Sequence, residues 1–95
     1  MDKERKLFNL AKRYLVGGVD SPVRSFNYVG IEPLLIKSGK GSSVYSYNNR
    51  KYTDYVLSWG SVILGHANPQ VIKNIKHNLD SGLSFGTTNK AEVEL

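Results

Sequence analysis

Three short strand-like segments, joined by connections of only a few residues, limit the fold of this chain more than any other feature. Residues typical of β-strands occur at Pro33–Lys37, Ser43–Tyr47 and Lys51–Val56. The connections, residues 38–41 and 48–50, are too short for the crossover that parallel pairing needs. The sequence therefore predicts a three-stranded antiparallel meander, within an α/β protein whose present portion is α+β.

The third strand leads into the chain's only tryptophan. We expect this strand to continue to Leu57, where the sequence Ser58-Trp59-Gly60 interrupts it. Gly60 has no Cβ, so the backbone beside the indole is bare. A large ring next to such a residue can line a pocket.

Helical spacing of apolar residues predicts a helix on either side of the strands. The first covers Leu7 to Leu15 and is ended by Gly17-Gly18. The second begins with Asn68 as N-cap and Pro69 at its first position, and residues 80–82 end it. Its apolar face consists of Val71, Ile72, Ile75 and Leu79. Asn89 and Glu92 have the spacing of a capping box that opens a third helix.

The composition excludes several classes of protein. Ninety-five residues form at most one small domain, so we do not expect a cofactor pocket made by this chain alone. The absence of cysteine excludes disulfides, thiolate catalysis and cysteine-ligated zinc within it. No segment has the apolar length of a signal peptide or a membrane span, so we expect a cytoplasmic protein with no membrane partner.

Motifs for common chemistry are also missing. The glycine-containing segment Gly39-Lys40-Gly41 lacks the third glycine of a dinucleotide fingerprint and lies between strands, so it is interpreted as a hairpin turn. His66 and His77 have no third ligand nearby, which gives a metal site little support.

A loop that contains proline carries the first candidate binding residue. In the segment Gly17-Gly-Val-Asp-Ser-Pro-Val-Arg24, Pro22 holds Ser21 extended, and Arg24 follows three residues after that hydroxyl. This arrangement suits paired N–H donation to a carboxylate. From the residues alone, a solvated surface arginine is the alternative. Packing in a core is the alternative for Trp59, and His66 is interpreted as a hydrogen-bonding structural residue rather than an acid or base.

The basic balance raises nucleic acid as a partner. The chain has 13 Lys and Arg against 8 Asp and Glu, a formal charge of +5, and tyrosines interleaved with lysines on the predicted strands. The charges are scattered, however, and the tyrosines at 45, 47, 52 and 55 do not share one face. We therefore expect no nucleic-acid partner, and a small basic tyrosine-rich binding module remains an alternative.

Several of these segments, in order and spacing, resemble the N-terminal region of the glutamate-1-semialdehyde 2,1-aminomutases. The most specific are Gly17-Gly-Val-Asp-Ser-Pro-Val-Arg24 and Leu57-Ser-Trp-Gly60. The Asp54-Tyr55 strand and the Gly65-His66 turn that leads to Pro69 are shared more widely among class III pyridoxal-phosphate aminotransferases. The resemblance covers nearly all of the chain.

The resemblance implies an aspartate-aminotransferase-like fold, a homodimer and an enzyme of tetrapyrrole biosynthesis. Such an enzyme converts glutamate 1-semialdehyde to 5-aminolevulinate with pyridoxal phosphate. By position, Ser21 and Arg24 would hold the carboxylate of this small-molecule substrate and Trp59 would line its pocket. Residues 1–60 would form the N-terminal helix, loop and meander, and residues 61–95 the start of the cofactor-binding domain.

The resemblance also implies that the chain is a fragment. In the family, the Schiff-base lysine and the cofactor-binding residues belong to later sequence, so we expect them beyond Leu95 and expect the piece alone to be inactive. Three sites depart from the family pattern: Asn68 replaces a histidine, Ser46–Asn49 an Asp-x-Asp-Gly turn, and Thr87–Asn89 an Ala-Pro-Thr segment. Another class III aminotransferase is the enzymatic alternative.

Overall fold

The computed structural model describes residues 2–95. Helix α1 covers Lys3–Ala11, helix α2 Pro69–Asn78 and helix α3 Lys90–Glu94. Between α1 and α2 lie strands β1 (Ile36–Lys40), β2 (Ser43–Ser46) and β3 (Lys51–Thr53). Short 3-10 turns occupy Val16–Gly18, Pro22–Ser25, Asn27–Val29 and Leu79–Ser81.

Helix α1 begins and ends four residues earlier than the sequence pattern predicted. The Oδ1 atom of Asp2 accepts a hydrogen bond from the amide of Arg5 at 2.8 Å, which caps the helix at its first turn. The pattern gave only the apolar face, beginning at Leu7, and missed this cap. Gly18 then packs against α1, where a Cβ would lie 2.5 Å from the Cε2 atom of Phe8. The glycine that was predicted to stop the helix therefore holds the following loop against it.

The loop after α1 is built from local hydrogen bonds. Ser21 is extended, with φ −146° and ψ 134°, as predicted from Pro22. The hydroxyl of Ser25 donates to the carbonyl of Pro22 at 2.6 Å and fixes the turn that contains Arg24. The sequence pattern gave no period here and did not predict these 3-10 turns.

The predicted antiparallel meander is confirmed, with strand order β1-β2-β3. All three strands have bounds different from those predicted: β1 begins and ends three residues later, β2 ends one residue earlier, and β3 ends three residues earlier. Strand β1 begins at Ile36, three residues after Pro33, whose nitrogen cannot donate to a ladder. Strand β3 ends at Thr53 because the carboxylate of Asp54 accepts the amide hydrogens of Val56 and Leu57.

The prediction of a strand through Leu57 was wrong. Leu57–Gly60 forms one left-handed helical turn, in which Leu57, Ser58 and Trp59 have φ values of 52°, 49° and 60°. This conformation costs roughly 1–2 kcal/mol for each residue with a Cβ. A run of three such residues persists only where the surroundings hold it.

The helices that follow confirm their predicted starts. The side chain of Asn68 accepts hydrogen bonds from the amides of Gln70 and Val71 at 3.0 and 3.2 Å. Asn89 accepts from the amide of Ala91 at 2.9 Å, and its Nδ2 donates to Glu92 at 2.7 Å. The predicted pair of residues is thus in contact, through the two side chains.

Helix α3 is a short helix that ends at Glu94. Leu95 is its C-cap, and the amide of Leu95 donates to the carbonyl of Ala91 at 3.1 Å. The side chain of Leu95 is exposed. The third helix predicted from the capping box is therefore present, and its apolar residues have no cover among residues 2–95.

The described residues do not close around a hydrophobic core. No leucine, isoleucine, valine or aromatic side chain among residues 2–95 is buried. The chain exposes 8185 Å², whereas a compact protein of its 10.6 kDa mass exposes roughly 5,500 Å². Its radius of gyration is 17.1 Å, against about 12 Å for a compact domain of this length. This excess of accessible surface area is typical of a segment that packs against other polypeptide.

Candidate functional site

Arg24 lies at the end of the turn Pro22–Ser25 and is exposed. Its backbone amide donates to the carbonyl of Ser21 at 2.9 Å, so the two predicted carboxylate-binding residues belong to one turn. The guanidinium makes no hydrogen bond or ion pair with residues 2–95. Its five N–H donors are therefore available to a ligand.

Trp59 is carried by the left-handed turn Leu57–Gly60 and is 71% exposed. This exposure is shared by many of the other large apolar side chains of residues 2–95, so the pocket-lining role of Trp59 stays a prediction. A large exposed aromatic ring on a conformation this costly is unusual for a purely structural residue.

Within residues 2–95 the structure does not join Arg24 to Trp59. No hydrogen bond or ring contact links the two side chains. A cleft of about 410 Å³ lies elsewhere, between α1, β3 and the segment before β1. Its lining includes Phe8, Phe26, Arg50 and Tyr52, and excludes Ser21, Arg24 and Trp59. That the predicted residues share one substrate cavity stays a prediction.

The most connected polar pair is Asp54 with His66. The Nε2 atom of His66 lies 2.5 Å from Oδ2 of Asp54, and the two side chains are 22% and 11% exposed. The other carboxylate oxygen, Oδ1, accepts from the amides of Val56 and Leu57 at 2.9 and 3.2 Å. One carboxylate thus links the segment after β3 to the segment before α2.

These bonds change the acidity of the carboxyl group. The hydrogen bond with His66, followed by those from the amides of Val56 and Leu57, holds the pKa of Asp54 below its ordinary value. The ionised form is therefore the one that the folded chain stabilises.

Glycines of the β1-β2 hairpin make room for His66. The backbones of Gly41 and His66 exchange two hydrogen bonds, of 2.9 and 2.8 Å. A Cβ on Gly39 would lie 2.6 Å from Cγ of His66, so only glycine allows the ring this close. A hairpin joins the two strands as predicted, but its turn lies at Gly41 and Ser42, because Gly39 and Lys40 belong to β1.

Sequence reasoning identified His66 as a hydrogen-bonding residue, which the structure confirms, but it missed Asp54 as the partner. Asp54 was assigned to the interior of a strand. The residues that follow it, Tyr55 and Val56, both favour strands. The only signal for the turn was therefore the aspartate itself, whose carboxylate can accept amide hydrogens further along the chain.

Two features of residues 2–95 bear on where pyridoxal phosphate would bind. A phosphate is commonly bound by free amides at a helix N-terminus. The amides of Gln70 and Val71 at the start of α2 already bond to Asn68. A Schiff-base lysine is activated by a desolvated or cationic environment, whereas all nine lysines of this chain are exposed. That the cofactor-binding residues lie beyond Leu95 stays a prediction.

Residues 2–95 contain no cluster of three or more histidine and carboxylate side chains suited to a metal ion. None of their helices has the length and apolar character needed to cross a bilayer.

Comparison with known proteins places this geometry in a family. The family model for aminotransferase class-III matches residues 26–95. A protein of Persephonella marina named glutamate-1-semialdehyde 2,1-aminomutase is 53% identical over 95 residues, all of this chain and 22% of the relative. The chain thus spans about a fifth of the length of the curated relatives that it matches.

Solved structures share the fold. A transaminase with PLP bound superimposes with a TM-score of 0.83 at 27% identity, over 97% of this chain and 21% of that protein. A glutamate-1-semialdehyde-aminomutase from Pseudomonas aeruginosa gives a TM-score of 0.79 at 21% identity, over 94% of this chain and 19% of that one. The expected aminotransferase-like fold is confirmed.

Proposed function

Because the chain belongs to the aminotransferase class-III family, we propose that it is part of a glutamate-1-semialdehyde 2,1-aminomutase. Such an enzyme converts glutamate 1-semialdehyde to 5-aminolevulinate in tetrapyrrole synthesis. The observation that carries the proposal is the 53% identity across all 95 residues to a relative of that name. The proposal concerns a protein of the relatives' full length, since the chain spans about 22% of that length.

Ser21 and Arg24 have the role of holding the substrate carboxylate. The exposed guanidinium without a partner in residues 2–95 supports this role, because a charged donor fork with no internal acceptor can take a carboxylate from solution. The turn closed by Ser25 and Pro22 fixes the backbone beneath it. A preset backbone lowers the entropy lost on binding.

Trp59 has the role of a wall of the substrate pocket. The left-handed turn that carries the indole supports this role, since backbone held in such a conformation is concentrated at ligand sites. A rigid apolar wall excludes water and limits how a small substrate can lie against the carboxylate clamp.

Pyridoxal phosphate is the proposed cofactor, which supplies an electron sink when bound. The structural likeness to a transaminase with PLP bound supports it. The exposure of all nine lysines supports a Schiff-base lysine beyond Leu95, which leaves the isolated chain inactive. We further propose a cytoplasmic homodimer that acts on its small-molecule substrate without nucleic acid or membrane as partner.

The test uses the full-length protein that carries this sequence. Supplied with glutamate 1-semialdehyde alone, it should form 5-aminolevulinate with no second amino donor or acceptor, because the product is an isomer of the substrate. Turnover that requires a separate amino acceptor would contradict the proposal and indicate an ordinary class III aminotransferase instead. The 95-residue chain alone, supplied with pyridoxal phosphate, serves as the control and should show no Schiff-base absorbance.

A further inference from the structure

The left-handed turn that carries Trp59 needs an external restraint. Leu57, Ser58 and Trp59 all have positive φ, which residues with a Cβ seldom adopt in succession. Hydrogen bonds inside the turn, such as that from the amide of Trp59 to the carbonyl of Val56 at 3.1 Å, close it without fixing its direction. Something outside the turn must therefore set where the indole points.

Two groups outside the turn bond to Leu57: the amide of Val62 donates to its carbonyl at 3.1 Å, and the carboxylate of Asp54 is the one that also connects the turn to the sheet. Its Oδ1 accepts from the amides of Val56 and Leu57, at the entrance to the turn. These two bonds fix Val56, which has right-handed helical dihedrals, together with Leu57, the first left-handed residue. They act on the backbone two residues before the indole.

The other side of Asp54 is tied to a rigid base. Oδ2 bonds to Nε2 of His66 at 2.5 Å. His66 is held in turn by two backbone bonds to Gly41, and its ring lies against Gly39 with no room for a Cβ. The hairpin, the histidine, the carboxylate and the turn thus form one continuous chain of contacts.

We propose that Asp54 is a positioning residue for Trp59, which transmits the fixed position of His66 and the β1-β2 hairpin to the left-handed turn. The indole then forms one wall of the pocket for an amino-aldehyde substrate with a carboxylate. This last step rests on the proposed function. The contacts between hairpin and turn do not.

The test compares variants of the full-length protein. Asp54→Ala removes both sets of bonds, and we expect KM for glutamate 1-semialdehyde to rise by about tenfold because the indole wall is no longer held in one position. The turnover number kcat should change much less, because a misplaced wall weakens ground-state and transition-state binding alike. Asp54→Asn retains an oxygen for the two amides and a polar group for His66, so it should restore most of the affinity.

Two matched variants complete the series. His66→Phe keeps a ring against Gly39 but loses the bond to Asp54, and it should raise KM less than Asp54→Ala does. Asp80→Ala removes an exposed carboxylate of the Leu79–Ser81 turn and should leave KM unchanged. If Asp54→Ala does not fold, His66→Phe and Asp54→Asn still test whether Asp54 positions Trp59.

A second readout is independent of activity. The fluorescence of Trp59, obtained by subtracting the spectrum of the same variant carrying Trp59→Phe, should shift in Asp54→Ala and return in Asp54→Asn. If Asp54→Ala leaves both KM and the Trp59 spectrum unchanged, the proposal is overturned, and this holds even if kcat falls. If the parent protein does not isomerise the substrate, the proposed function fails, and the Trp59 spectra still decide the positioning role.

Discussion

Residues 36–66 and residues 69–95 are held in their conformations by different kinds of hydrogen bond. In the first region, hydrogen bonds join residues that are far apart in the sequence. Examples are the backbone bonds between Gly41 and His66 and the side-chain bond between Asp54 and His66. In the second region, the hydrogen bonds of α2 and α3 are local, such as that from Gln70 to Asn74. The apolar face of α2 is open, and Ile75 is 47% exposed.

The difference shows which part of the fold the chain can specify alone. Polar and backbone bonds define the meander region, including a fully buried Ser46 that accepts from the amides of Asn48 and Arg50. The helices depend on burial of their apolar faces, which these 95 residues do not provide. Stability of the helical region must therefore come from further polypeptide.

The largest expected effect concerns the isolated 95-residue chain. Because no leucine, isoleucine, valine or aromatic side chain among residues 2–95 is buried, it should be poorly soluble and should lack a cooperative thermal transition. Calorimetry of the isolated chain checks this. A sharp melt with a normal heat-capacity change would mean that both regions are stable alone, and the contrast between them would disappear.

Ile75→Glu in the full-length protein tests whether the face of α2 is covered. A charge placed in a buried apolar contact should destabilise the protein by about 2–5 kcal/mol. Lys73→Glu, on an exposed position of the same helix, is the control and should stay within about 0.5 kcal/mol. Denaturant unfolding measures both, and equal effects would show that α2 has no covered face.

Gly39→Ala tests the tight contact in the meander region. The new methyl group would lie 2.6 Å from Cγ of His66, and overpacking of this kind should cost about 1–3 kcal/mol. The exposed neighbour Ser38→Ala is the control. Melting temperatures of the full-length variants decide the matter, and a wild-type value for Gly39→Ala would show that His66 is free to move.

A smaller effect is expected from pH. The pKa of Asp54 is lowered in the folded state, so its stabilising contribution is fully present above the ordinary value of 3.8 and is lost as pH falls through the lowered pKa. The difference in unfolding free energy between the parent and Asp54→Asn should therefore shrink below that pH. A difference that stays constant through the acid range would show that the charge of Asp54 is not stabilised.

The sequence predicted the elements that depend on local signals. Asn68 with Pro69, and Asn89, start their helices as expected, and the short connections required antiparallel strands. The exact strand ends were not predictable by the same means, because Asp54 stops β3 through bonds to amides beyond it.

In the candidate site, too, local sequence signals were predictable and the folded backbone was not. Sequence reasoning found Arg24 and Trp59 as residues, but periodicity carries no information on a left-handed turn of three residues with Cβ atoms. The contact between Gly39 and His66 joins positions 27 residues apart, and only the folded hairpin brings them together.

The carboxylate clamp is tested most directly by the affinity of Arg24→Ala for glutamate 1-semialdehyde in the full-length protein. Loss of a charged hydrogen bond should weaken substrate binding by about 1.5–3 kcal/mol, with little loss of cofactor. Arg13→Ala, an exposed arginine after α1, is the control and should bind normally. Unchanged binding by Arg24→Ala would remove this residue from the site and contradict the account.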